Sequence, residues 1–394
     1  MKITFVLPTI TIGGGVRVVF EYANRLQGRG HEVSIVYPII PPFPNDLLRQ
    51  FGLKDSISKF LKVRSSAKGS WKTNAKLIRV PTLSPKLKWM FERKIPDADV
   101  IIATEWRTAY AVAGLGEEKG EKFHFIQNYE CWEVWNDERC WKRAEEISEK
   151  TGEPIHLAMA EVDTSDLPFH NTKKLVDNAF KLPLRKITIS SWLKELIEKK
   201  FDQKVEGVVI NGVDFNKFYN KNKTWNEKKR ILTPYRDMRW KGVEDAIKAF
   251  EVVRKKYPDV QFAMFGPTKG KIPNWIEYYE NPSDEELRRL YCITDIFVSP
   301  NWLGFDLPCM EAMMCKCAVI TTNVGGTTDY TVPGRTALVV PPRNPVKLAE
   351  GIIYLLENEA KLRELSNAGY EYISQFTWEK STDEFEKILL SKFK

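Results

Sequence analysis

The sequence predicts an α/β protein made of two doubly wound parallel sheets with a cleft between them. Three observations carry that prediction. Short apolar runs alternate with segments of helical apolar spacing, and the alternation occurs in both halves of the chain. The 394 residues are long for one domain and ample for two. Glycine-bearing turns follow several of the apolar runs, at the strand ends where such folds bind ligands.

In chain order, residues 2–7 form a first strand and Gly13-Gly14-Gly15 a turn. Val16, Val19, Phe20, Ala23 and Leu26 then share one helical face, which Gly28 and Gly30 end. Strands follow at 31–37, 100–103, 124–127 and 186–189. Ser190 or Ser191 is expected to cap a helix over 192–200. In the second half, 208–210 runs into the turn Asn211-Gly212. Strands are expected at 230–233, 261–265, 295–299 and 318–321, with helices over 246–253, 284–290 and 310–316. The polar stretch 220–227 reads as a surface loop, and Glu311 is expected in the first turn of its helix.

Composition narrows the class. Hydrophobic residues make up 43% and charged residues 28%, as in an ordinary globular protein. No apolar run reaches the roughly 18 residues of a membrane span, and the first residues break too early for a signal peptide. Six cysteines without a Cys-x-x-Cys pair, and four histidines, argue against structural zinc and for reduced core thiols in a cytoplasm. The net charge of +8 is concentrated between Lys54 and Lys94, where twelve Lys or Arg stand against Asp55 and Glu92. Trp71, Trp89, Met90 and Phe91 lie among them. This suits either an anionic membrane surface or a solvated basic face over buried aromatics; no nucleic-acid motif accompanies it.

Three regions suit phosphate. The glycine run 13–15 precedes a helix N-terminus, although it lacks the Gly-x-Gly-x-x-Gly spacing of a dinucleotide site. The second strand also ends without a ribose-binding acid, which disfavours a dehydrogenase. Arg236 and Lys241 can bracket a diphosphate from two sides and stabilise it as a leaving group, although their spacing alone fits a basic surface loop better. Gly304-Phe305-Asp306-Leu307-Pro308-Cys309-Met310-Glu311 offers a close backbone approach and a carboxylate for ribose hydroxyls, and Gly325-Gly326 supplies another turn.

This ordered set resembles the family 4 retaining glycosyltransferases of the GT-B fold, whose two domains are Rossmann-like. Ile210-Asn211-Gly212-Val213-Asp214 with Phe218 also matches, as does Phe376-Thr377-Trp378-Glu379. The resemblance implies an acceptor domain over 1–202 joined by 376–394, and a nucleotide-sugar donor domain over 203–375. It implies that Arg236 and Lys241 hold the donor diphosphate and Glu311 the ribose. Gly304, Phe305, Asp306, Leu307 and Gly266 would lie against the donor, and Gly14 and Gly15 would face its phosphates. Gln127, Asn128 and Glu130 would contact acceptor or donor sugar. No cofactor and no metal are implied, because the two cations do that work. The reaction implied is hexosyl or deoxyhexosyl transfer from a nucleoside-diphosphate sugar to a glycan or lipid-linked acceptor. It would serve cell-surface polysaccharide or glycoconjugate synthesis, in the cytoplasm or at the inner membrane face.

Two departures stand out. Leu303 occupies the place of a usual glutamate, and Asp306 that of a usual glycine. They leave open an inactive sugar-nucleotide-binding scaffold, and a nucleotide-sugar epimerase is a second alternative.

Overall fold

The computed structural model describes residues 1–10, 13–39 and 72–391. The chain divides into two compact units, Met1–Ile210 with Trp378–Lys394, and Asn211–Thr377.

The first unit holds a seven-stranded sheet. Its strands are β1 (Lys2–Val6), β2 (Glu32–Pro38), β3 (Lys76–Val80), β4 (Val100–Ala103), β5 (Glu121–Ile126), β6 (Arg185–Thr188) and β7 (Val205–Val208). Their order is β3-β2-β1-β4-β5-β6-β7, and every neighbouring pair is parallel. The direction of winding reverses at β1 and β4, which creates a crevice at their carboxyl ends. All four residues of β4 are buried, as expected of a strand covered on both faces. Four helices lie between β5 and β6: Trp132–Asn136, Glu138–Thr151, Ile155–Glu161 and His170–Phe180. The terminal helix, Trp378–Leu390, also belongs to this unit. Its Phe385 is fully buried, stacked on Tyr22 at 4.6 Å and edge-on to Phe125 at 5.0 Å.

The second unit holds six strands: β8 (Arg230–Pro234), β9 (Gln261–Gly266), β10 (Glu277–Glu280), β11 (Ile296–Ser299), β12 (Ala318–Thr322) and β13 (Leu338–Val340). They are ordered β10-β9-β8-β11-β12-β13, again all parallel. The winding reverses between β8 and β11. Ile231, Phe250, Met264, Val298 and Ile320 share a core on one side of this sheet.

The α/β reading holds in both units, with local corrections. β7 pairs with β6 in the first sheet, so the division falls after Ile210 and not after 202. Ser190 stands at the start of helix Ser191–Phe201, but its hydroxyl makes no capping bond and is buried without a partner. The helix expected over 310–316 runs from Leu307 to Met314, with Pro308 in its first turn. Glu311 is therefore in the second turn. The stretch 220–227 is more than a surface loop. Asn226 donates to the Ile293 carbonyl at 2.7 Å and to the buried Asp295 carboxylate, and Asn220 donates to the Cys315 carbonyl at 3.2 Å. It is a strap across the amino ends of the strands.

The basic segment is only partly described, since 54–71 lies outside the described residues. Within 72–94 the aromatics divide: Phe91 is fully buried, whereas Trp89 is 73% exposed. All six cysteines are free; five are buried and Cys292 is half-buried. No helix among the described residues is long and apolar enough to cross a membrane.

Replacing Phe385 with Ala should destabilise the first unit by about 3–5 kcal/mol, the usual cost of emptying a buried aromatic site. Urea unfolding followed by circular dichroism should show a lower midpoint.

Candidate functional site

In the second unit the carboxyl ends of β8 and β11 each run into an irregular loop, and specific contacts stitch the two loops together. The Trp302 amide donates to the Trp240 carbonyl at 2.7 Å, and the Trp302 indole donates to the buried Asp245 carboxylate at 2.7 Å. Gly242 has φ +64°, and a Cβ there would lie 2.0 Å from the Pro300 carbonyl oxygen. Only glycine allows that approach. The guanidiniums of Arg239 and Arg343 lie over the Trp302 ring at 5.7 and 5.4 Å.

This stitching determines the surroundings of Lys241. It is half-buried, and desolvation lowers the pKa of its ammonium; the carboxylate of Asp306 works against that shift and the charge of Arg236 adds to it. Arg236 is pressed down by desolvation in the same way, opposed by Asp306. One Arg236 nitrogen donates to its neighbour's carbonyl, that of Tyr235, at 2.9 Å. Gly266 closes this side: a Cβ there would meet the Tyr235 carbonyl at 2.4 Å and the Arg236 guanidinium at 3.3 Å. Two cations sharing one carboxylate leave a positive excess that an anion would neutralise.

Asp306 is 4% exposed and precedes the helix Leu307–Met314, yet its side chain does not cap that helix. It accepts from the Ser299 hydroxyl, which in turn accepts from the Asn301 amide at 2.9 Å. Glu311 is 2% exposed and accepts from the Tyr291 hydroxyl at 3.3 Å. Tyr291 is also the least of the three groups that oppose the lowering of the Arg236 pKa by desolvation. Gly304, at φ +103°, offers its carbonyl to the Gly326 amide at 3.2 Å, tying the β11 loop to Gly325-Gly326. Phe305 packs edge-on against Tyr330 at 5.1 Å, and Leu307 is buried. Leu303, at the place of the glutamate usual in the family the sequence resembles, is 1% exposed and part of the core.

The first unit gathers its own group at the crevice of β1, β4 and β5. Gly14 and Gly15 are the first residues of helix Gly14–Gly28, with Gly13 before it. Gln127, just after β5, donates to the Gly15 carbonyl at 3.3 Å, and a Cβ on Gly15 would touch the Gln127 amide at 3.4 Å. The space around Gly14 is open within 4 Å. The Asn128 side chain accepts from the Tyr129 amide at 2.9 Å, which turns it back on its own backbone.

Glu130 accepts from the Trp106 amide at 2.9 Å, at the start of helix Trp106–Ala113. Glu105, which caps that helix, accepts from the Arg107 amide at 2.8 Å and pairs with the Arg107 side chain. Burial raises the Glu130 carboxyl far above the carboxylate range, and the charge of Glu105 raises it further. Glu105 is raised by burial as well, against the pull of Arg107. Of this cluster the sequence points to Glu130 alone; Glu105 and Arg107 join it only through the fold. The buried ring of His124 is a core residue, pushed down to about 3 by desolvation and so neutral. Among the described residues no group of three or more His, Cys, Asp or Glu could hold a metal ion.

Residues 214–372 match the family model described as glycosyl transferases group 1. A glycosyltransferase from Methanocaldococcus jannaschii is 27% identical over 213 residues, 51% of this chain and 58% of that protein. The O-antigen chain mannosyltransferase B of Escherichia coli is 34% identical over 116 residues, 29% of this chain and 30% of that protein. The matched stretches thus span from under a third to just over half the length of these relatives. Among solved structures, Anabaena HepE in complex with UDP-glucose superimposes with a TM-score of 0.68 at 15% identity, covering 99% of this chain and all of that one. The fold is therefore that of the GT-B glycosyltransferases.

Two outcomes test this geometry. Gly242→Ala should lower stability by at least 1–3 kcal/mol, on the order of the strain of a disfavoured backbone region, with the Pro300 clash added; thermal unfolding reads it. For Glu130, a raised native pKa means that the native state holds a proton the unfolded state releases above about 4.3. Its contribution to stability is present below that pH and is lost as pH rises toward the raised native value. Glu130→Gln should therefore be more stable than wild type at neutral pH and show a flatter pH profile between 5 and 8, as measured by urea midpoints at stepped pH.

Proposed function

We propose, from the match of residues 214–372 to the group 1 glycosyl transferases, that this chain transfers a sugar from a nucleoside-diphosphate sugar to a hydroxyl of a glycan or lipid-linked acceptor, with retention at the sugar carbon. The observation that carries this reading is the pair of half-buried cations, Arg236 and Lys241, at the switch point of the second sheet. A diphosphate there would restore the charge balance that desolvation has strained.

The roles follow from the chemistry. Arg236 offers a planar fork and Lys241 a point charge to the diphosphate, and both hold it more tightly as it leaves with its negative charge. Glu311 accepts from the ribose hydroxyls. Gly304 and Gly266 let the backbone approach the donor, and Phe305 and Leu307 give it an apolar wall. Asp306, braced by Ser299, contacts a hydroxyl of the donor sugar. Gln127, Asn128 and Glu130 serve the acceptor or the sugar, and Gly14 and Gly15 approach a phosphate.

Neutral Glu130 can donate a hydrogen bond to a sugar oxygen. No step requires a metal, since the two cations provide the charge. The departing phosphate oxygen takes the proton of the attacking hydroxyl, so no separate base is needed. A hexose or deoxyhexose donor, a role in polysaccharide synthesis and work at an anionic membrane face fit the same reading. Exposed Trp89 beside Lys86, Lys88, Arg93 and Lys94 suits that surface.

A panel of nucleotide sugars screened by thermal stabilisation would identify the donor. Lys241→Ala should then lose about 10²–10³-fold in turnover with that donor while keeping its fold. Near-normal turnover would overturn the assignment.

A further inference from the structure

We propose that Cys292 and Cys315 form a dithiol that exchanges with small-molecule disulfides, with Cys292 the modification site and Cys315 the thiol that resolves it into an intramolecular disulfide.

The pair is assembled by the fold. Cys292 is the last residue of helix Asp284–Cys292, and Cys315 directly follows helix Leu307–Met314. The Asn220 side-chain amide donates to both carbonyls, at 3.4 Å to Cys292 and 3.2 Å to Cys315, and so holds the two helix ends side by side. The Cys292 thiol donates to the Tyr219 carbonyl at 3.4 Å, and the Cys315 thiol lies near enough to act on its charge. Cys292 is half-buried and within reach of a small reagent, whereas Cys315 is buried.

Cys292 is also the more acidic thiol. The Cys315 thiol, then Arg288 and Lys223, favour its thiolate and bring it down to about 7, while burial holds Cys315 well up. A half-buried, more acidic thiol with a buried partner suits attack followed by resolution.

The exchange balances without any further reagent. The Cys292 thiolate attacks one sulfur of R–S–S–R, which forms a mixed disulfide and releases RS⁻. The Cys315 thiol gives its proton to that thiolate, and its sulfur attacks Cys292 and expels the second RS⁻. Two protein thiols are oxidised and one small disulfide is reduced to two thiols.

The bond would bear on the donor site. Tyr291, next to Cys292, donates to Glu311 at 3.3 Å, and the Cys317 thiol donates to the Tyr291 carbonyl at 3.1 Å. The Cys315 amide donates to the Glu311 carbonyl at 3.0 Å. Drawing the two sulfurs to bonding distance shifts both helix ends and with them the Tyr291–Glu311 contact. This consequence rests on Glu311 being a ribose ligand; the exchange itself does not.

The test treats the native full chain with oxidised glutathione, alkylates it and maps the peptides. Wild type should lose two hydrogens and link the peptides of Cys292 and Cys315. Cys315→Ser should stop at a glutathione adduct on Cys292, and Cys292→Ser should give neither product. A persistent adduct in wild type, a different linked pair or an unreacted Cys292 would overturn the proposal. Because wild type alone decides that result, poor folding of a variant does not obscure it. Calorimetry with UDP then reads the coupling: affinity should fall at least severalfold on oxidation and return with dithiothreitol. If the disulfide maps as expected and UDP affinity does not change, the coupling is refuted and the exchange stands. If UDP fails to bind even the reduced protein, the donor-site reading fails separately.

Discussion

The close approach of two loops at the switch point of the second sheet determines the rest of the site. Gly242 lies against the Pro300 carbonyl, Trp302 bonds to Trp240, and Asp245 holds the Trp302 indole. These contacts join the loop after β8, and the first turn of the helix Val243–Lys256 that follows it, to the loop after β11. Without them Lys241 would be a mobile surface ammonium in water. With them it is desolvated, and it shares the field of Asp306 with Arg236. An anion bound here would be favoured by this enforced burial of like charges more than by the residue types alone.

The two sheets use one topological rule with different chemistry. At the β8/β11 crevice the buried excess is positive. At the crevice of β1, β4 and β5 it is a pair of carboxyls, Glu105 and Glu130, relieved in part by Arg107. A cationic site suits a diphosphate. A carboxyl whose protonated form is favoured by burial suits hydroxyl groups, because that form can both donate and accept. The proposed division between phosphate and sugar recognition would thus have an electrostatic basis inside each unit.

How much of this was legible depends on what each residue's neighbours had to be. β8, β9, β11 and β12 were readable because central parallel strands are buried on both faces and must be apolar runs. β3 and β10 were not: each is an edge strand, and Lys76-Leu77-Ile78-Arg79-Val80 and Glu277-Tyr278-Tyr279-Glu280 carry exposed polar residues that hide the pattern. β13, three residues long, gives too short a run to register. Arg236, Lys241 and Glu311 were legible through their order along the chain, and the fold brings the first two together at Asp306. Glu105 was not legible, because Glu-Trp-Arg at a helix start is unremarkable until β5 brings Glu130 beside it. Cys292 and Cys315 likewise looked like ordinary core thiols until two helix ends met under Asn220. Helix boundaries moved where one residue decided them, as when Pro308 started a helix three residues before the expected 310.

The most direct test of the central claim is a crystal structure of the chain with a nucleoside diphosphate such as UDP. The account predicts the diphosphate within hydrogen-bonding reach of both the Arg236 guanidinium and the Lys241 ammonium, with the ribose hydroxyls on Glu311. A nucleotide bound elsewhere, with neither Arg236 nor Lys241 in contact with its phosphates, would contradict it.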